Sequence, residues 1–120
     1  TLFQLAALAE RSPKLVEAAK TLLFIPDLLH WCLTGRADAE ITVASTSQMW
    51  DATRGRWASG ILERLGIPTH LLPDVLPDGT LYGPLLADGV PASAAGTPVY
   101  APAGHDTACA VAAVPAAPGD

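Results

Sequence analysis

A strand, a turn and a helix in immediate succession near the end of the chain constrain it more than any other stretch. Thr97-Pro98-Val99-Tyr100 reads as a short buried strand, residues 102–104 as a turn and residues 107–114 as a small-residue helix. A strand feeding a helix through so short a turn, after a series of helices and short strands, fits an α/β class better than any all-α class. The junction carries Gly104-His105-Asp106-Thr107, with Asp106 expected at the N-cap. There the helix amides and the positive end of the helix dipole favour an ionised carboxylate, as a base for a hydroxyl proton requires. Asp is also a preferred cap residue with no chemistry nearby. On the residues alone, both readings of Asp106 stand.

Residues 2–9 are apolar on every face and predict a buried helix that needs cover from other elements. Ser12-Pro13 restarts the chain, with Ser a good N-cap and Pro suited to the first helical position, so residues 13–20 predict a second short helix. The apolar run 22–25 reads as a short strand or a buried turn. Pro26 and Asp27, the latter as a cap, then open a helix through Cys32 or Leu33, with Gly35 as its left-handed end. Residues 44–49 predict a short helix, Asp51 a turn residue and Thr53-Arg54-Gly55 a turn. Trp57, Ile61, Leu62 and Leu65 fall at helical spacing, making 57–65 the clearest amphipathic helix, closed by Gly66. After Pro68 the texture becomes Pro- and Gly-rich. Leu71-Leu72 and Leu81-Tyr82 predict short strands on either side of a Pro77-Asp78-Gly79 turn, and the small residues of 87–96 predict a mobile loop.

Seven Lys and Arg against twelve Asp and Glu leave a net charge of −5, and only Arg54 and Arg56 fall close together. Nucleic-acid binding needs clustered cations, so no nucleic-acid partner is expected. The longest apolar stretch, 21–33, is interrupted by Pro26, Asp27 and His30, so no membrane span is expected. Cys32 and Cys109 are too few and too far apart for a metal motif and read as buried small hydrophobes, in keeping with a reducing cytoplasm; their pairing stays open.

Other residues also carry two readings. His105 could orient Asp106 or contact a ligand hydroxyl, or be a turn histidine bonded to backbone. Thr107 could donate near a reacting group, or satisfy its own helix turn. Gly104 could let backbone approach a ligand, or simply make the turn. Thr46, Ser47 and Gln48 form a polar cluster in apolar surroundings, either the wall of a binding site or a capped helix start. Trp31, Trp50 and Trp57 could stack on a ring-shaped ligand or belong to the core; Trp57 is expected in the core and Trp50 stays open.

The segment Gly104-His105-Asp106-Thr107-Ala108, followed by Ala110-Val111-Ala112-Ala113-Val114-Pro115, resembles the glycine-histidine-aspartate-threonine segment of the FGGY carbohydrate kinases, the rhamnulokinase branch in particular. The resemblance runs in order through Thr1-Leu2-Phe3-Gln4-Leu5, Leu23-Phe24-Ile25-Pro26-Asp27, Leu33-Thr34-Gly35, Ala44-Ser45-Thr46-Ser47-Gln48, Leu65-Gly66-Ile67-Pro68-Thr69-His70 and Gly83-Pro84-Leu85. Members usually carry Ser where Cys109 stands and often Thr where Ser47 stands, swaps that preserve small side chains.

The resemblance implies an actin-like, ribonuclease H-like sugar-kinase fold, with residues 1–120 the later part of the N-terminal, sugar-binding domain. It implies that Asp106 is the general base for phosphoryl transfer from ATP to a sugar hydroxyl. Gly104, His105, Thr107 and Gln48 would contact the sugar. The expected reaction converts L-rhamnulose to L-rhamnulose 1-phosphate. Xylulose, fuculose or glycerol as substrate, and a kinase-derived binding module without catalysis, remain alternatives. ATP and magnesium are expected in the full-length enzyme and none in this fragment alone, because the family's two phosphate-binding loops are absent from it. Its expected partners are a small-molecule sugar and the rest of the kinase chain.

Overall fold

The computed structural model describes residues 1–86, 88 and 90–115. Helix α1, Leu2–Arg11, packs on α2, Pro13–Ala18, whose Pro13 exploits its fixed φ in the first turn. Only Leu2 and Leu5 of α1 are buried, and Phe3 is 78% exposed. The helix expected to be buried all round is thus covered on one face, since α2 and the core meet only that side. Residues 20–24 form neither helix nor strand, and the Leu22 N–H donates to the Leu71 carbonyl at 2.7 Å.

Helix α3, Ile25–Thr34, ends as expected at Gly35, whose φ of 75° is accessible without a Cβ clash. Strand β1, Ala39–Glu40, runs directly into α4, Ile41–Ser45. The helix expected over 44–49 therefore lies three residues earlier. The Glu40 side chain accepts the N–H groups of Thr42 and Val43 and starts it there, whereas Gln48 has left it at φ 63°.

Strands β2, Trp50–Asp51, and β3, Arg56–Trp57, form an antiparallel hairpin with Trp50 opposite Trp57. Trp57 thus belongs to a strand, and the amphipathic helix is shorter than expected: α5 spans Ser59–Arg64. Pairing with Trp50, edge-on ring contact at 5.4 Å and an indole N–H bond to the Pro73 carbonyl at 2.7 Å hold Trp57 extended. These tertiary contacts override helical spacing. Gly66 closes α5 as expected, at φ 65°.

Leu71 lies in a 3₁₀ turn, Thr69–Leu71, rather than in a strand. The strand comes later, as β4, Val75–Leu76, which pairs in parallel with β1 through Ala39 opposite Val75. After the expected turn at Gly79, β5, Leu81–Pro84, pairs antiparallel with β6, Pro98–Tyr100. Strand β6 is not buried, Tyr100 being 55% exposed, because β5 is its only strand neighbour among the described residues. Of the loop expected over 87–96, Ala87 and Gly89 lie outside the described residues. Residues 91–97 fold into turns closed by Ala94 N–H to Pro91 C=O at 2.8 Å and Thr97 N–H to Ala94 C=O at 3.2 Å. The last helix among the described residues is α6, Asp106–Ala112.

The core joins Leu2, Leu5, Val16 and Phe24 to Ala39, Ala44, Met49, Leu62, Ile67 and Leu71. Around it the molecule is a slab of 48 × 44 × 21 Å with a radius of gyration of 16.6 Å. A compact domain of this length has a radius of about 13.6 Å. Cys32 and Cys109, expected to be buried, are both exposed free thiols. Cys32 lies on α3, where only Asp27 and His30 are buried, and Cys109 on α6, where no residue is.

Candidate functional site

The site is built where β1 meets α4 and the loop before α6 crosses them. Glu40 is fully buried. Its Oε1 accepts the Thr42 N–H at 2.7 Å, while Oε2 accepts the Thr42 hydroxyl and the Val43 N–H at 3.4 Å. The same Oε2 accepts the Gly104 N–H at 3.0 Å. The Thr42 hydroxyl, having donated to Glu40, accepts the His105 N–H at 3.1 Å. Two consecutive amides of the loop are thereby fixed to one buried carboxylate, one directly and one through a hydroxyl.

That tether corrects the expected cap. With its N–H held by Thr42, His105 stays extended at φ −94°, ψ 113° and becomes the N-cap of α6, and its Nδ1 accepts the Ala108 N–H at 3.3 Å. Asp106 is the first helical residue instead. An accepting Nδ1 leaves the ring proton on Nε2, so His105 presents an N–H donor outward. The Asp106 Oδ1 accepts the Thr107 N–H at 2.6 Å and the Thr107 hydroxyl at 3.3 Å. Its Oδ2 has no hydrogen-bond partner among the described residues, and the residue is exposed. One oxygen is held, and the other is unpartnered among the described residues, at the N-terminal end of α6. Thr107 turns its hydroxyl onto Asp106, in keeping with the local reading of that residue.

Gly104 is needed neither for a positive φ nor for the turn. A Cβ there would stand 3.1 Å from Val43 Cγ2, 3.3 Å from Glu40 Oε2 and 3.4 Å from Pro26 Cβ. The missing side chain lets the loop press against α3 and α4.

Beneath this lies a second buried polar group that residue pattern alone missed. Asp27, expected as a helix cap, is fully buried, and its Oδ1 accepts the Glu40 N–H at 3.0 Å. Burial pushes its carboxyl up to about 6, and the nearby Glu40 and Asp38 charges add to the rise. Burial also lowers the His30 pKa and, with the Asp27 charge, pushes the Tyr82 hydroxyl up to about 12. The His30 and Tyr82 rings stack at 4.7 Å, and Arg36, paired with Asp38 at 2.7 Å, lies over Tyr82. Asp27 Oδ2, His30 Nδ1 and Tyr82 Oη lack partners among the described residues. Only a fold that carries Glu40 onto α3 exposes these roles, because Asp27 and Glu40 are 13 residues apart.

The polar cluster at 46–48 is not brought into this site by any hydrogen bond among the described residues. Gln48 donates to the Thr46 carbonyl at 2.6 Å and accepts from the Thr1 amino group at 3.2 Å. Ser47 is buried and bonds to the Ala44 carbonyl at 2.6 Å. Trp50 and Trp57 contact each other, and Trp31 is 46% exposed. No group of three or more His, Cys, Asp or Glu among the described residues could hold a metal ion. No helix among them is long and apolar enough to cross a membrane.

Residues 1–113 match the model of the FGGY family of carbohydrate kinases, N-terminal domain. The chain belongs to the FGGY family. Over 115 residues it is 36% identical to a rhamnulokinase of Oceanobacillus iheyensis and 41% identical to one of Yersinia pestis. Each alignment covers 96% of this chain, but only 24% and 23% of the respective relative. The chain therefore spans about a quarter of the length of these curated relatives. The crystal structure of a xylulose kinase from Rhodospirillum rubrum superposes with a TM-score of 0.70 at 22% identity, over 82% of this chain and 21% of the other. The fold is thus that of part of an FGGY N-terminal domain, α/β as expected. Within it Asp106, His105, Thr107 and Gly104 adjoin one another, while Gln48 belongs to a separate turn.

Proposed function

We infer that the whole protein transfers the γ-phosphoryl group of ATP to a hydroxyl of a small sugar, with Asp106 as general base. The observation that carries this reading is the Asp106 carboxylate itself, held through Oδ1 by Thr107 with Oδ2 exposed and unpartnered among the described residues. In this reading Oδ2 takes the proton of the sugar hydroxyl as that oxygen bonds to the γ-phosphorus and the bond to ADP breaks. His105 donates from Nε2 to a second sugar oxygen, and the Gly104 and His105 amides are held off the substrate by Glu40 and Thr42. The similarity to proteins named rhamnulokinase supports L-rhamnulose as the sugar and L-rhamnulose 1-phosphate as the product. Magnesium bound with ATP would supply charge neutralisation on the phosphates. The exposed free thiols of Cys32 and Cys109 fit a reducing cytoplasm.

The test is ADP release by the full-length protein across L-rhamnulose, xylulose, fuculose and glycerol. L-Rhamnulose is expected to give the highest kcat/KM. Equal inactivity on all four would support a kinase-derived binding module instead.

A further inference from the structure

We propose that Glu40 is a positioning residue for phosphoryl transfer, and that it sets the place of Asp106 by fixing the two amides that precede it. The proposal rests on the reading of Asp106 as the base. Three observations carry it. The carboxylate is fully buried, yet each of its bonds is one it accepts, from Thr42, Val43 and Gly104. The Thr42 hydroxyl extends the same anchor to the His105 N–H. Gly104 packs so closely on Glu40 and Val43 that a Cβ would stand 3.3 Å and 3.1 Å from them, leaving the loop no slack toward α4.

Capping α4 would require only the Thr42 and Val43 amides, and a Ser, Thr or Asp could serve that purpose. Glu40 differs in reaching a segment 64 residues away. Both of its oxygens accept, so an amide cannot replace it: Gln offers one accepting oxygen and turns an N–H₂ toward either Thr42 N–H or Gly104 N–H. His105 and Asp106 follow Gly104 directly, so a loop released by this clash carries the base with it. Misplacing a reacting group by about 1 Å costs on the order of 10²-fold in rate.

The experiment is a double-mutant cycle in the full-length protein, with ADP release and thermal unfolding measured for wild type, Glu40→Gln, Asp106→Asn and the pair. Glu40→Gln is expected to lower kcat at least about 10-fold while the KM for ATP stays within about twofold. In the Asp106→Asn background the same change is expected to cost nothing further, because a residue that acts only through the base has nothing left to position. If Asp106→Asn is itself active, the base reading fails. If Asp106→Asn is impaired and Glu40→Gln multiplies the loss in full, Glu40 acts elsewhere and the positioning role is overturned. Should Glu40→Gln not fold, Thr42→Val carries the test, since it keeps the Glu40 carboxylate and removes the hydroxyl that donates to Oε2 and relays it to the His105 N–H. It is expected to lower kcat about threefold to tenfold with rescue by Thr42→Ser, and unchanged kcat overturns the proposal.

Discussion

Oε2 of Glu40 and the backbone N–H of Gly104 lie 3.0 Å apart although 64 residues separate them in the chain. This contact joins the strand β1 to the loop that carries Asp106, and it is the point at which the fold and the proposed chemistry meet. Around it, a second buried carboxylate, Asp27, accepts the Glu40 N–H. The anchor is therefore itself anchored to α3.

Asp106→Asn in the full-length protein should lower turnover by roughly 10²-fold or more, because an amide cannot accept the hydroxyl proton. Asn keeps an Oδ1 that accepts the Thr107 N–H, and the cap of α6 belongs to His105, so the melting temperature should barely move. Steady-state ADP release and a thermal melt check both halves. Turnover near the wild-type rate would leave Asp106 a structural residue only.

His105 separates its two nitrogens by substitution. Asn retains an acceptor close to the place of Nδ1 and keeps the cap to Ala108, but removes the Nε2 donor. His105→Asn should raise the KM for the sugar about 10-fold with little loss of stability, whereas His105→Gln should cost about 1 kcal/mol of stability through the lost cap. Kinetics paired with denaturant unfolding distinguish the two, and identical behaviour of both variants would contradict the assigned tautomer.

Asp27 should make stability depend on pH in a direction opposite to that of a paired carboxylate. Its carboxyl is raised from 3.8 to about 6 on folding, so between these values the folded state holds the proton more tightly. Its contribution is therefore favourable below about 4 and is lost as pH rises through about 6. The charges acting on it are those of Glu40 and Asp38, and its own charge acts on the Tyr82 hydroxyl. His30 is shifted downward and works in the other sense, so the difference between wild type and Asp27→Asn isolates the effect. Asn should gain stability over wild type by on the order of 1 kcal/mol on going from pH 5 to pH 7.5, measured by denaturant midpoints in the full-length protein. An unchanged difference across that range would mean that Asp27 is not raised.

The 120 residues alone should not unfold cooperatively. Among the described residues the strands pair only in twos, the slab is 21 Å thick, and Phe3, Ile25, Leu29 and Val111 are each at least 60% exposed. Isolated two-stranded pieces are marginal in water. Circular dichroism melting of the isolated segment should give a broad, shallow change, and a sharp transition would show that its core suffices.

The local devices of the fold were legible in the residues because they are decided by sterics within a few positions. Gly35, Gly66 and Gly79 close turns at positive φ where sequence places them, Pro13 opens α2, and a strand and a helix follow one another up to Ala112, although residues 101–105 between them form an irregular link rather than the expected turn. The family resemblance and the place of Asp106 at the head of a helix were equally readable. Sequence could not assign the cap to His105, place Trp57 in a strand, expose Cys32 and Cys109, or make Glu40 and Asp27 the buried support of the site. Each of those depends on which distant segments meet. Burial and long-range hydrogen bonds are properties of the packed chain, whereas turns, caps and periodicity belong to neighbours along it.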